Sequence, residues 1–223
     1  MLYDTYLVIP AVYSNTCLDE VLHSWAAENN LELNCVKSKE LIFTANSTRA
    51  TSVQLPSQCR NIERLTSFRI LGIVVSDRLT ATEHVNNLVS SCSCLLYALR
   101  VLRSHGIPVT ALHGVFRATV VAKVTYGAPA WSGMCTAADR DKLNTFINRC
   151  KRIGFCDKEL PSITELFGEA DDILFNRTLT NMRHVLQTCL SDRTETILII
   201  CVTAHTTNHS STKLVTEQIC TYV

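Results

Sequence analysis

The chain has 223 residues, 47% of them hydrophobic and 18% charged, with a net charge of +1. So apolar and so nearly neutral a composition excludes a disordered chain, and the length suits one or two globular domains. The longest unbroken apolar run, near Ile197–Cys201, is far short of the roughly 20 residues a membrane-crossing helix needs; with Asp4 in place of a basic leader, an intracellular chain without a membrane span is expected.

Tyr6–Val12 runs apolar with alternation, as a strand does, and closes at Pro10 and Ser14-Asn15. Leu18, Val21, Leu22, Trp25 and Ala26 then recur at i, i+3, i+4, i+7 and i+8, one stripe of an amphipathic helix capped by Asn15 or Thr16 and stopped at Asn29-Asn30. Glu40–Thr44 reads as a strand, Val53–Leu55 as a short extended piece before Pro56, and Asn61–Leu65 with Phe68–Val75 as a strand pair whose run Ile70–Val75 is largely buried. After Ser76 the period changes from two to 3.6. Val85, Leu88, Val89, Cys92, Leu95, Leu96, Leu99 and Leu102 mark one long helix that ends at Gly106, ahead of Pro108. Leu112, Val115, Phe116, Thr119 and Val120 mark a second helix opened by Thr110, and Tyr126-Gly127-Ala128-Pro129 breaks it. Thr136 caps a third, running through Leu143, Phe146, Ile147, Cys150 and Ile153 to Gly154. Ser162 and Glu165 form a capping box for a short helix, and Ala170–Leu179 reads as another.

Charge is spread unevenly along this order. Residues 1–80 hold seven Lys or Arg against eight Asp or Glu, and residues 156–223 hold five against nine. Residues 81–155 hold nine against three, a net of +6. Such a basic segment is the footprint of a polyanion contact, and equally of a solvated helical face. Eleven cysteines, an odd number without small-scaffold spacing, predict free thiols. Cys92-x-Cys94 and Cys150-x5-Cys156 lack zinc-finger spacing, so no metal is expected there. Cys201, His205 and His209 would line one face of a helix and could hold zinc, although a shifted reading frame, below, accounts for them better.

Several strings then become specific. Asp4-Thr5-Tyr6-Leu7-Val8-Ile9, a helix with Trp25, and Asn29-Asn30-Leu31-Glu32-Leu33-Asn34-Cys35-Val36-Lys37-Ser38-Lys39 together resemble the reverse transcriptases of LINE-type (non-LTR, jockey-like) retrotransposons. That family carries F/Y-A-D-D at a strand turn and then L-N-x-x-K-[ST] after a helix. Phe68-Arg69-Ile70-Leu71-Gly72-Ile73 resembles its Y-L-G-V strand, the primer-grip region. Leu95-Leu96-Tyr97-Ala98-Leu99-Arg100 and Thr125-Tyr126-Gly127 with Trp131 are similar to its helical thumb, and Ala170-Asp171-Asp172 and His184-Val185-Leu186 to the region beyond. The likeness spans about residues 1–192. It implies an α+β chain: the end of a palm over 1–75, with a few antiparallel strands and one helix, then an all-α thumb-like bundle over 76–155. A helical extension over 156–196 and a tail over 197–223 follow. The fingers and the palm strand with the first metal aspartate would lie upstream of Met1.

The same resemblance implies a polymerase that does not work alone. Nucleotidyl transfer uses two divalent cations about 3.5–4 Å apart, and magnesium, the family's cofactor, needs hard oxygen ligands from separate strands. On the F/Y-A-D-D pattern this chain reads Met1-Leu2-Tyr3-Asp4, so Tyr3 replaces the first metal aspartate and only Asp4 remains. A phenol with a pKa near 10 is neutral at pH 7 and cannot take the place of a carboxylate. No cofactor is therefore expected in this chain. Lys37 stands where the family has a lysine near the incoming triphosphate, and otherwise reads as a surface lysine. Phe68, Leu71 and Gly72 are candidates for a primer-grip hairpin, or simply for core and turn. Arg100, Arg103, Arg117, Lys123, Arg149, Lys151 and Arg152 are candidates for phosphate contact, which needs only clustered cations. The partners expected are an RNA or DNA backbone and a complementary palm and fingers half in trans; a thiol-rich helical scaffold for another protein is the alternative. Beyond Asp192 the family continues with Y-N-L-R-x-R-x-H-N. Codons for Leu198–Asn208, read two bases on, can encode Y-N-L-R-H-R-A-H-N, so Ile197–Val223 is expected to be an out-of-frame tail without selected packing.

Overall fold

The computed structural model describes residues 2–10, 18–30, 32–43, 58, 61–187 and 199–207. The helix cap at Asn15 or Thr16 and the extended piece Val53–Leu55 lie outside these residues. The chain is α+β and divides into two compact units: Met1–Phe68 with Ser76–Leu79 and Glu195–Val223, and Arg69–Val75 with Thr80–Thr194.

In the first unit, strand β1 (Leu2–Pro10) precedes helix α1 (Leu18–Glu28), which stops where Asn30 turns left-handed at φ 53°. The strands β2 (Glu32–Leu33), β3 (Lys39–Ile42), β4 (Glu63–Leu65) and β7 (Ile199–Thr207) complete a sheet of order β1-β7-β3-β4, with β2 also paired to β7. β7 runs antiparallel to β1 from Leu2 opposite Thr207 to Pro10 opposite Ile199, and antiparallel to β3 from Lys39 opposite Thr203 to Ile42 opposite Ile200. This differs from an unpacked tail: the β-branched run Ile199-Ile200-Cys201-Val202-Thr203 occupies the middle of the sheet, where such residues fit the pleat. Cys201 and His205 are consequently strand residues, not one face of a helix, and His209 lies outside the described residues. Leu41, Ile42 and Ile62 are buried, and so is Glu40. Glu40 stands opposite Arg64 in the parallel β3–β4 pair, and the guanidinium grips its carboxylate with two bonds of 3.0 and 3.1 Å. Bidentate pairing is the arrangement that makes a fully buried carboxylate tolerable.

The strand expected over Phe68–Val75 is two strands, β5 (Ser67–Ile70) and β6 (Ile73–Ser76), paired as a hairpin. Leu71 and Gly72 both take positive φ, 47° and 90°, as a tight two-residue hairpin turn requires. Of the apolar run Ile70–Val75 only Val74 is buried, and Leu71 is 71% exposed.

The second unit is a helical bundle with one continuous core from Ala81 to Phe167. Helix α2 (Thr82–Ser104) buries His84, Val85, Leu88, Cys92, Leu96 and Leu99. Its length and composition would let it cross a bilayer, contrary to the reading from unbroken runs; here its apolar stripe is core. Helix α3 (Val109–Phe116) continues without a break through a π-helical turn, Arg117–Val121, into α4 (Ala122–Thr125). Leu112, Phe116, Val120 and Val124 are buried at every fourth position. A tight α-helix would let that spacing drift round its axis; the wider π turn keeps it on the core side. Gly127, left-handed at φ 57°, turns the chain into α5 (Ala128–Trp131).

Trp131 is completely buried, donates from Nε1 to the Tyr126 carbonyl at 3.1 Å, and meets His84 and Phe167 edge-on at 4.7 and 5.1 Å between ring centres. Helix α6 (Ala137–Ile153) begins at a capping box in which Asp139 Oδ2 accepts from Thr136 N and Oγ1 at 3.0 and 2.7 Å. The same oxygen accepts from Thr82 Oγ1 at 2.9 Å, so one carboxylate serves the N-termini of α2 and α6. Gly154 closes α6 in a left-handed conformation, as its place in the sequence predicts. The Ser162–Glu165 box opens α7 (Ile163–Thr180), one 18-residue helix where two short ones were expected. Gly168 does not interrupt it, because Phe167 and Ala170 pack on the common core either side. Residues 156–180 thus share the bundle core with 80–155.

Candidate nucleic-acid interface

Asp4 lies on β1 opposite His205, and Tyr3 opposite Thr206. β7, the strand alongside, has no Asp or Glu in its sequence, so strand pairing brings no second carboxylate to Asp4. Lys37 is exposed in a turn where its own N–H donates to both the carbonyl and Oδ1 of Asn34, at 3.1 and 3.2 Å. Phe68 is half-buried on β5, and Leu71 and Gly72 form the hairpin tip. In the second unit that tip is held from outside: Tyr126 donates its hydroxyl to the Leu71 carbonyl at 3.1 Å.

The basic residues of the bundle divide into a fixed pair and an exposed set. Arg103, in the last turn of α2, donates to the Ile153 carbonyl at 2.9 Å and lies 4.7 Å over the Phe155 ring. Lys151, in the last turn of α6, donates to the Leu160 carbonyl at 2.5 Å. Both line a cleft of about 450 Å³ bounded by the ends of α2 and α6 and the first turns of α3, together with His113 and Lys158 and a single carboxylate, Asp157. Arg100, Arg117, Lys123, Arg149 and Arg152 are exposed and make no ion pair among the described residues.

Buried thiols mark where some of these cations sit. Burial pushes Cys92 up to about 11, and the nearby Lys123 ammonium only partly offsets it. Burial and the neighbouring thiols Cys156 and Cys92 push Cys150 up to about 12, against the opposing pull of Arg149. Cys156 is likewise raised by burial, with Lys151 and Arg117 pulling the other way. Thiols held so firmly protonated are poor nucleophiles and poor metal ligands at neutral pH. Among the described residues no cluster of His, Cys, Asp or Glu is arranged to hold a metal ion.

The structure therefore brings Arg103 and Lys151 together and sets Arg117 beside the Cys156 that lines the same cleft. Arg100, Lys123, Arg149 and Arg152 lie outside its lining. His113 and Lys158 escape sequence reasoning. Nothing in their local pattern shows that a helix start and a post-helix turn converge, although the Gly154 stop signal fixes where Lys158 emerges. No protein-family model, curated protein or solved structure matches the chain. Function has to be argued from this geometry and from the motif order.

Proposed function

We propose that this chain is a truncated remnant of a LINE-type RNA-directed DNA polymerase, inactive in templated synthesis on its own, whose helical unit binds a nucleic-acid backbone without reading sequence. The observation that carries the binding is the convergence of Arg103, Lys151, Lys158 and His113 on one cleft against a single Asp157. Cations held in place by carbonyl groups keep donors free for phosphate oxygens, and phosphate contact requires no further constellation. The inactivity is supported by Asp4 and its partner strand: one carboxylate with no acidic neighbour across the pair does not gather two magnesium ions.

Fluorescence anisotropy of a labelled single-stranded RNA or DNA tests the binding. With three or four phosphates neutralised, affinity should fall about 20- to 50-fold between about 50 and about 200 mM salt. Absence of binding at the lower salt would eliminate the reading. Primer extension on a homopolymer template with magnesium tests the rest: neither the chain nor its Tyr3→Asp variant should extend, and templated incorporation by either would overturn inactivity.

A second reading, a helical scaffold for another protein, is favoured by Phe175, Leu179, Met182 and Val185, which are exposed at 52, 49, 80 and 71% along α7 and the turn after it. Phe175→Glu separates the two. It should leave nucleic-acid affinity unchanged if the cleft is the working surface.

A further inference from the structure

We infer that the cleft at the ends of α2 and α6 takes a phosphomonoester, the phosphorylated terminus of a nucleic-acid strand, in preference to internal backbone. The inference rests on the nucleic-acid reading above and concerns what that site selects.

Charge balance is the first argument. Arg103, Lys151 and Lys158 against Asp157 leave a net of +2 with His113 neutral. An internal phosphodiester brings one negative charge, whereas a terminal phosphate carries about −1.5 to −2 near pH 7 and offers three acceptor oxygens. Three cations on one small volume match the second ligand.

Shape is the second argument. Proteins that track a strand's interior spread their cations along an open groove with aromatic stacking platforms. Here the volume is about 450 Å³, the scale of a small-molecule site. Its apolar share comes from Val109, Leu112 and Ile153, side chains suited to one sugar or base edge. The exposed Arg100, Arg149 and Arg152 lie outside the lining, where a trailing strand could meet them.

Pre-organisation is the third. The Ile153 carbonyl holds Arg103 Nη1, and the Phe155 face supports the guanidinium from below. The planar fork keeps Nε and Nη2 for a bidentate grip on phosphate oxygens. Lys151 is held likewise by Leu160, so little side-chain order remains to be gained on binding.

The test compares single-stranded oligonucleotides of one sequence, labelled internally, with a 5′-phosphate, a 3′-phosphate or hydroxyls at both ends, bound to the full chain. At least one phosphorylated end should tighten binding about tenfold, the scale of a few charge-assisted hydrogen bonds. Adenosine 5′-monophosphate should compete for that gain and adenosine should not. Lys158→Gln should collapse the difference between phosphorylated and hydroxyl ends. Arg103→Lys should reduce it, keeping the charge but losing the fork. Equal affinities for all three oligonucleotides would overturn end selection while leaving backbone binding intact. Binding of none of them would remove both readings. Competition by the mononucleotide without end discrimination would mark a free-nucleotide site, and would overturn the assignment to strand termini.

Discussion

Asp139 offers the sharpest stability test, because one carboxylate oxygen accepts from Thr136 N, Thr136 Oγ1 and Thr82 Oγ1. Asp139→Ala removes all three bonds and a negative charge from two helix N-termini. Each charge-assisted bond contributes about 1.5–3 kcal/mol when its donor is left dry. Thr82 and Thr136 are exposed, however, and can turn to water, so the sum is well below three such bonds. Loss of the cap and of the anion–dipole attraction then sets the scale, about 2 kcal/mol in all. That is a large share of a typical total of about 5–15 kcal/mol.

The chain has two tryptophans, Trp25 in the first unit and Trp131 in the second. Urea unfolding followed by Trp131 fluorescence in a Trp25→Phe background therefore reports on the bundle alone. Asp139→Asn should lie between wild type and alanine, keeping an acceptor without the charge. A cycle with Thr82→Val should show coupling of about 0.5–1 kcal/mol. Burial alone would raise the Asp139 carboxyl, but the bonds from Thr136 and Thr82, with Lys142 nearby, outweigh it and hold it below the usual range. Its contribution is thus present at neutral pH and lost as acid brings the pH down through that lowered value. An alanine variant within about 0.5 kcal/mol of wild type, the scatter of ordinary surface substitutions, would refute the shared-cap argument.

His84 predicts a second acid sensitivity. Burial, and then the charge of Arg69, lowers its pKa below 6.5, and Nδ1 accepts from Val74 N at 3.3 Å, which requires the neutral ring. The bundle should be fully stable above pH 6.5 and weaken as the pH falls below it, a slope that His84→Asn should abolish in urea titrations. Gly127→Ala should destabilise by about 2 kcal/mol or more, from left-handed strain and contact; an added Cβ there would stand 2.6 Å from Ile73 Cδ1. Gly154→Ala, equally left-handed but in open space, should cost only about 1 kcal/mol by the same thermal-melt comparison. Leu71→Asn should stabilise by about 0.5–1 kcal/mol, because asparagine accepts the positive φ that leucine resists; a lower melting temperature would contradict the turn assignment.

The helical unit was the more legible part of the sequence. Thr136, Gly154 and the Ser162–Glu165 pair are local signals with local consequences, and each stands where its pattern places it. The Leu71-Gly72 turn was hidden because leucine is no turn former, so an apolar run read as one buried strand. The span of α7 was obscured by a capping box that announces a start and says nothing of length. β7 was misread because its place depends on partners at Leu2–Pro10 and Lys39–Ile42, some 160 residues or more away in sequence, which no local pattern reports. The site divides in the same way. Arg103 and Lys151 were candidates as members of a basic segment, but the cleft that joins them to His113 and Lys158 exists only once three helix ends meet.

The π turn at Arg117–Val121 fixes more than one coil's width. It behaves as a stored single-residue insertion. Losing one residue from it would tighten the coil and swivel everything that follows by roughly 100°, taking Val124 out of its socket and Tyr126 off the Leu71 carbonyl. Length at this point is therefore as constrained as side-chain identity is elsewhere, and a one-codon deletion here should disable the bundle where the same loss in the exposed Asp157–Glu159 stretch would be absorbed.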